Sequence, residues 1–173
     1  FSMNFGLYTA LGNDNLSPVI DTNRMSLHLI QNRLDNPVSG TTPDFVAETT
    51  NTGGTSAAKY ITKPVILENL STSLDIRLSA NIRTSSAVKM YYRISTADDV
   101  RKLGDIAWTD FNSDGTTDKS VTPASDSVTF REQQYSASSI PEFTAFQLKI
   151  VMTGTNSSYP PIIKDMRGIA LAV

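Results

Sequence analysis

One loop of the chain combines residue types and spacing that could bind a metal ion. Residues 110–118 read DFNSDGTTD, which fits the first nine positions of a calcium-binding loop. In such a loop, oxygen ligands at alternate positions converge on one hard cation, and the glycine permits a sharp turn. The pattern predicts calcium as a cofactor of this segment. The candidate ligands are Asp110, Asn112, Asp114, Thr116 and Asp118.

A second interpretation of this loop stays open. The twelfth position of a calcium loop is usually a glutamate that binds the ion through both carboxylate oxygens, and here it is Val121. Without that ligand, the segment is also typical of a polar surface loop built around an Asp-Gly turn. The residues are compatible with either structure.

The rest of the sequence contains no recognisable catalytic set. His28 is the only histidine, so a serine–histidine–aspartate arrangement has no support from the spacing. The carboxylates of Asp98 and Asp99 are adjacent in a strand-rich sequence and do not face each other across a substrate. The glycines form neither a phosphate-binding loop nor a dinucleotide-binding motif. We therefore expect a protein that is not an enzyme.

Composition narrows the classes of partner. The net charge is -2 and the sequence pI is about 5.3, which gives no electrostatic reason to bind nucleic acid. Cysteine is absent, so disulfides and thiolate metal sites are excluded. No apolar run approaches the roughly 20 residues that span a bilayer. We expect neither nucleic acid nor a membrane as a partner.

Most of the chain after residue 58 has the pattern of β-strands. Apolar and polar side chains alternate over residues 74–83, 88–94 and 146–152, and this period of two is typical of a strand with one buried face. Residues 61–67 are predicted as a strand with Pro64 at an edge or bulge position, because proline cannot donate to a sheet. Weaker or shorter strands are predicted at residues 128–135 and in the last run of the chain.

These strands predict an all-β fold. Clusters of Gly, Pro, Ser and Asp separate them, which favours an antiparallel β-sandwich, jelly-roll-like, over residues 59–173. The predicted core residues are Ile76, Leu78, Met90, Tyr92, Leu148 and Ile150.

The first third of the chain is predicted to be an extended N-terminal arm. Residues 1–35 carry short apolar patches that cannot enclose a core alone, and residues 36–58 are rich in Ser, Thr and Gly, as in a linker. We place the domain boundary between residues 58 and 59, and we expect the arm to contact another subunit, since large apolar patches rarely stay bare. The expected interface anchors are Met25, Leu27, Leu29 and Ile30.

Aromatic and basic residues of the strands have two interpretations each. Tyr91, Tyr92 and Trp108 could form a platform on which a sugar stacks, although packing inside the protein is favoured for Tyr92 and Trp108. Basic side chains occupy the strand positions that are expected to face outward. They could form a basic surface for ordered contacts between subunits, or they could simply be solvated. These residues are Arg77, Arg83, Lys89, Arg93, Lys149 and Lys164.

Several segments of the sequence resemble a known family. The chain is similar to virion structural proteins, baseplate or tail-fibre-associated, of large contractile-tailed bacteriophages, such as those that infect cyanobacteria. The similarity covers most of residues 17–173, and its motifs are structural rather than catalytic. The segments that carry it are SPVIDTNR (17–24), IQNRLDNP (30–37), KYITKPV (59–65), VKMYYR (88–93), FQLKIVMT (146–153) and PIIKDMRGIAL (161–171).

The resemblance implies a role in assembly. A protein of this family would be a virion structural module of the tail baseplate or tail fibre, assembled in the host cytoplasm, and this chain would be a C-terminal piece of a larger polypeptide. Its expected partners are other tail or baseplate subunits and copies of itself. A carbohydrate-binding module that recognises a host-surface glycan is the alternative, because jelly-roll sandwiches serve both roles.

Overall fold

The protein is an antiparallel β-sandwich, as the alternating pattern predicts. The structure, a computed structural model, describes residues 34, 56, 58–154, 156 and 159–172. Apart from two 3-10 turns, Leu103–Asp105 and Phe111–Ser113, the regular structure in this part of the chain is β-strand. The strands are β1 (Lys59–Ile61), β2 (Val65–Ser71), β3 (Ser73–Asn81), β4 (Ser86–Ser95), β5 (Thr109–Asp110), β6 (Arg131–Ala137), β7 (Phe143–Gly154) and β8 (Ile162–Leu171).

The predicted arm and linker fall almost entirely outside the described residues. The expected anchors Met25, Leu27, Leu29 and Ile30 also lie outside them, so the arm, its anchors and the boundary at residue 58 stay predictions. At the edge of this region, the carbonyl of Ala58 accepts a hydrogen bond of 2.9 Å from the backbone N–H of Met152.

The first sheet is built around β7. One edge of β7 pairs with all of β4, from Ser86 opposite Gly154 to Ser95 opposite Ala145, and β4 pairs in turn with β5. The other edge of β7 pairs with β1 and then with β2. The strand predicted over residues 61–67 is therefore two strands. Pro64 lies in the gap between them, where it does not have to donate a backbone hydrogen bond.

The second sheet has three strands in the order β6-β3-β8. Ile76 at the centre of β3 lies opposite Tyr135 of β6 and Gly168 of β8. A Cβ atom on Gly168 would lie 3.2 Å from Cδ1 of Ile76, so the missing side chain leaves space for this buried isoleucine.

The core lies between the two sheets. It confirms the prediction of which alternate residues in each strand face inward. All six predicted core residues are buried, with exposures from 0% to 7%. Phe111 packs between two tyrosine rings of the core. Its ring centroid is 4.9 Å from that of Tyr92 and 6.0 Å from that of Tyr135. The buried residues that join the predicted six are Leu74, Ala80, Val88, Phe111, Tyr135, Phe143 and Phe146.

The first sheet is also covered on the face that points away from the core between the sheets. The sequence did not indicate this. Arg93 of β4 and Lys149 of β7 were predicted to face outward, but they are 1% and 0% exposed. That prediction was wrong for these two residues because a second apolar cluster, formed by Tyr91, Trp108 and Val151, lies on this face.

The central position of Ile150 gives a direct test of the core. Ile150→Ala should lower the free energy of unfolding by about 2–5 kcal/mol, since it removes buried methyl groups and leaves a cavity. Urea denaturation monitored by circular dichroism measures this loss.

Ile169→Ala is the matched control, because Ile169 is 48% exposed on β8. Its effect should stay below about 1 kcal/mol. A loss below about 0.5 kcal/mol for Ile150→Ala would show that the strand faces are assigned wrongly.

Candidate functional site

Arg93 connects β4, β7 and the turn that precedes β5 by hydrogen bonds. Its Nε and Nη2 atoms donate to Oε1 of Gln147 at 2.9 Å and 2.6 Å, so β4 is joined to β7 by side chains as well as by backbone. Its Nη1 atom donates to the carbonyls of Gly104 and Ile106 at 2.7 Å and 3.2 Å. The guanidinium therefore fixes the turn that leads to Trp108. Burial lowers the pKa of Arg93, and the charge of Asp105 acts in the opposite direction.

Two buried cations lie against aromatic rings on this face. The Cζ atom of Arg93 is 4.2 Å from the ring centroid of Trp108, and Nζ of Lys149 is 5.1 Å from the same ring and 4.8 Å from that of Tyr91. Such cation–π contacts are strongest where water is excluded. The face is thus a cationic–aromatic cluster, which we define as Tyr91, Arg93, Trp108, Gln147 and Lys149.

The burial of the three aromatic residues decides whether they form a sugar-stacking platform or pack inside the protein. Tyr91, Tyr92 and Trp108 are 2%, 7% and 3% exposed, so the packing role favoured for Tyr92 and Trp108 is confirmed. The more exposed aromatic side chains, Tyr60 at 54% and Tyr159 at 51%, lie on β1 and in the loop before β8.

The predicted calcium loop is closed by its own hydrogen bonds. Oδ1 of Asp114 accepts from the backbone N–H and the hydroxyl of Thr116 at 3.0 Å and 2.6 Å. Nδ2 of Asn112 donates to the carbonyl of Thr116 and to Oδ1 of Asp118, both at 2.9 Å. Gly115 has φ +77°, and a Cβ there would lie 3.1 Å from Cβ of Lys89, so glycine is required at this turn.

The hydrogen bonds of the loop join four of the candidate ligands, Asn112, Asp114, Thr116 and Asp118, to one another. Asp110 is paired with Tyr91 in the first sheet, while Asp118 lies near β6. Among residues 58–154 and the other described positions, no group of three or more His, Cys, Asp or Glu side chains is arranged to hold a metal ion. The structure thus shows a loop held by polar contacts, and calcium binding stays a prediction.

Asp118 anchors this loop to the second sheet. Its Oδ1 atom accepts the backbone N–H of Ser136 at 2.9 Å and its Oδ2 atom accepts the Ser136 hydroxyl at 2.7 Å. Burial acts to raise the pKa of Asp118, but the hydrogen bonds from Asn112 and Ser136 outweigh it and leave the pKa below its usual value.

Exposed apolar side chains concentrate on one side of the sandwich, where β1 and β2 lie beside β8. A cleft between the sheets is lined there by Tyr60 of β1 and by Ile163 to Met166 of β8. The far end of β8 is held at the end of β2 by a hydrogen bond of 2.9 Å from Thr72 N–H to the Leu171 carbonyl. We call β1, β2 and β8 together the open side of the sandwich.

Comparisons with known proteins identify no relative. No family model, curated protein or solved structure matches this sequence. In the described part of the chain, no helix has the length and apolar character needed to cross a membrane.

The cationic–aromatic cluster predicts that Arg93 is essential for stability. Arg93→Met should reduce the free energy of unfolding by about 3 kcal/mol, because it leaves the buried oxygen of Gln147 and the part-buried carbonyls of Gly104 and Ile106 without this donor. Arg101→Met is the control. Arg101 bonds Asp99 through a side chain that is 60% exposed, and its removal should change stability by less than about 1 kcal/mol. Equal losses for both variants in urea denaturation would contradict the assignment.

The lowered pKa of Asp118 predicts that its contribution to stability depends on pH. Its folded pKa lies below the unfolded value of about 3.9, so its contribution is present above that pH and is lost as the pH falls through the folded pKa. Asp118→Asn should therefore show a smaller fall in unfolding free energy than the wild type between about pH 5 and about pH 2. Ser136→Ala, which keeps the carboxylate but removes one donor, should show an intermediate fall. Identical pH profiles for the wild type and Asp118→Asn would refute this role.

Proposed function

We propose that the chain is a virion structural module of a bacteriophage tail baseplate or tail fibre, and that its open side docks onto neighbouring subunits. The observation that supports this most directly is the distribution of exposed apolar residues. Of the ten large hydrophobic side chains that are exposed in the described residues, seven lie on β1, β2 and β8. They are Tyr60, Val65, Ile66, Leu70, Ile162, Ile169 and Leu171.

The chemistry of the open side suits a partner that contributes an apolar strand. Ile66 is 81% exposed, so a partner that covers it gains roughly 25 cal/mol for each Å² of apolar surface removed from water. Within the described residues, β8 pairs only with β3, and an edge strand of this kind can accept another strand through backbone hydrogen bonds. Suitable partners are other tail subunits or copies of the same chain.

The outer face of the second sheet carries Ile169 and Leu171 at the end of β8, but its centre is charged. Arg77 pairs with Asp75 and with Glu132 at 3.2 Å and 3.1 Å, and Arg167 pairs with Glu132 at 2.7 Å. Charges that satisfy one another in this way give a partner little to gain on desolvation. The open side is therefore the better candidate for docking.

The resemblance to virion structural proteins supports the same function and a location in the phage tail. Residues 161–171, one of the segments that carry the resemblance, include the whole of β8. Glycan recognition, the alternative, draws no support from the predicted aromatic platform, because Tyr91, Tyr92 and Trp108 are buried.

Substitutions on the open side should block assembly without unfolding the protein. Ile66→Lys and Ile169→Lys each place a charge where the partner is expected, at side chains that already contact water. In phage that encode either variant within the full polypeptide, the amount of the chain per purified tail should fall by at least about tenfold, since burying an unpaired charge costs more than about 1.4 kcal/mol. Quantitative mass spectrometry of the tails measures this amount.

Val100→Lys is the matched control, because Val100 is 99% exposed and lies in the loop after β4, outside the three strands of the open side. All three variants should keep the circular dichroism spectrum and melting temperature of the wild type. Normal incorporation of both Ile66→Lys and Ile169→Lys would overturn the proposed docking surface.

A further inference from the structure

A second cleft opens on the opposite side of the sandwich, beside β6. It has a volume of about 440 Å³, within the range of roughly 300–1,000 Å³ that is usual for small-molecule sites. The ends of β3 and β6, the start of β4 and the loop of residues 116–123 form its walls. This site is independent of the docking function proposed above.

The floor of the cleft is polar at positions where a sandwich normally has apolar side chains. Arg131, Gln133 and Tyr135 alternate along β6 and so share one face of the sheet. Their partners across the ladder are Ala80, Leu78 and Ile76, all of which are buried in the core, so the three polar residues lie on the inward face too. Gln133 and Tyr135 are buried there, while Arg131, at the start of β6, is exposed. Polar residues at core positions break the pattern of the fold, and such exceptions are expected at functional sites.

Tyr135 provides a buried hydroxyl that has no partner. The side chain is 0% exposed, and its hydroxyl oxygen makes no hydrogen bond within the protein. Native proteins seldom leave a buried polar group unsatisfied, so we expect a partner from outside the chain at this hydroxyl, either a ligand or an ordered water. Burial and the charge of Asp118 raise the pKa of Tyr135, so the hydroxyl keeps its proton at neutral pH and can donate to a ligand oxygen.

The charges that line the cleft favour an anion at its Arg131 end, while the charge of Asp118, which is not part of the lining, acts on Tyr135. The lining includes Arg83 and Arg131 and contains no carboxylate. Glu132, which follows Arg131, points to the opposite face of the sheet, where it pairs with Arg77 and Arg167. A carboxylate is the anion that an arginine guanidinium binds best in a planar, bidentate geometry.

The size of the site then selects the class of ligand. Tyr135 lies four positions after Arg131 along the strand, about 13 Å between Cα atoms, a distance that an arginine side chain and one sugar ring together can span. Hydroxyls of the 116–123 loop, including Thr116, Ser120 and Thr122, line the opposite wall. We propose that this cleft binds a small acidic sugar, with its carboxylate at Arg131 and a ring or hydroxyl oxygen at the Tyr135 hydroxyl.

Glucuronate is the probe that tests this site. Titrated into the intact chain at millimolar concentrations, it should produce saturable shifts of the amide signals of residues 131–135 in heteronuclear NMR spectra. Glucose, which lacks the carboxylate, and acetate, which lacks the ring, should each bind about tenfold more weakly, since each loses one set of charge-assisted or neutral hydrogen bonds. Absence of saturable shifts with glucuronate would overturn the proposal, and acetate binding as tightly as glucuronate would overturn its sugar component.

Two substitutions separate a ligand role from a structural one. Tyr135→Phe removes only the unpartnered hydroxyl, so it should leave the melting temperature unchanged or higher while it weakens glucuronate binding about tenfold. Arg131→Gln should weaken binding to a similar extent, while Arg101→Gln, at an exposed arginine outside the cleft, should not. Unchanged glucuronate affinity in both Tyr135→Phe and Arg131→Gln would overturn the assignment.

Methyl glucuronide identifies the source of the sugar. Its blocked anomeric oxygen mimics a uronate linked within a polysaccharide. Affinity equal to that of glucuronate supports the site as a reader of polysaccharide-linked uronate, whereas loss of affinity supports it as a site for the free sugar.

Discussion

The whole fold depends on the burial of β7 on both of its faces. One face of this strand contributes Phe146, Leu148 and Ile150 to the core between the sheets, and the other places Gln147 and Lys149 against Trp108 and its neighbours. β7 also pairs on both edges, with β4 on one and with β1 and β2 on the other. Its register therefore fixes the positions of three strands at once, and a shift by one residue would exchange its apolar and polar faces.

Alternation in the sequence identifies which residues share a face, and this was enough to predict the core. Ile76, Leu78, Met90 and Ile150 are all buried as expected. Alternation does not reveal whether the second face of a strand is covered, because that depends on segments distant in sequence. Lys149 has the pattern of a solvated residue, yet it is 0% exposed.

Site residues were harder to predict for a related reason. The spacing of Asp114 and Asp118 matches a calcium loop, but spacing does not show which donors will reach each carboxylate, and in the structure Thr116 and Ser136 do so. The polar residues of the cleft are visible in the sequence, but the segment that contains them, residues 128–135, was predicted only as a weak strand. In the structure, Arg131 and Gln133 occupy inward positions of β6. An inward polar residue in an alternating strand indicates a site as readily as it indicates a poor strand.

The two sides of the sandwich have different chemistry and, in this account, different roles. The open side presents apolar residues such as Ile66 and Ile169 for subunit contacts, while the side of β6 presents Arg131 and the Tyr135 hydroxyl for a small polar ligand. Both depend on the same framework, since β3 pairs with β8 on one edge and with β6 on the other.

Hydrogen–deuterium exchange tests the central claim, that the open side is the surface by which this module assembles. Mass spectrometry would compare amide exchange in the isolated chain with exchange in purified phage tails that contain it. If the partner covers the edges of β2 and β8, exchange in these strands should slow on assembly, while exchange in β6 should be unchanged. Equal exchange of β2 and β8 in both states, with new protection elsewhere in the sandwich, would contradict it.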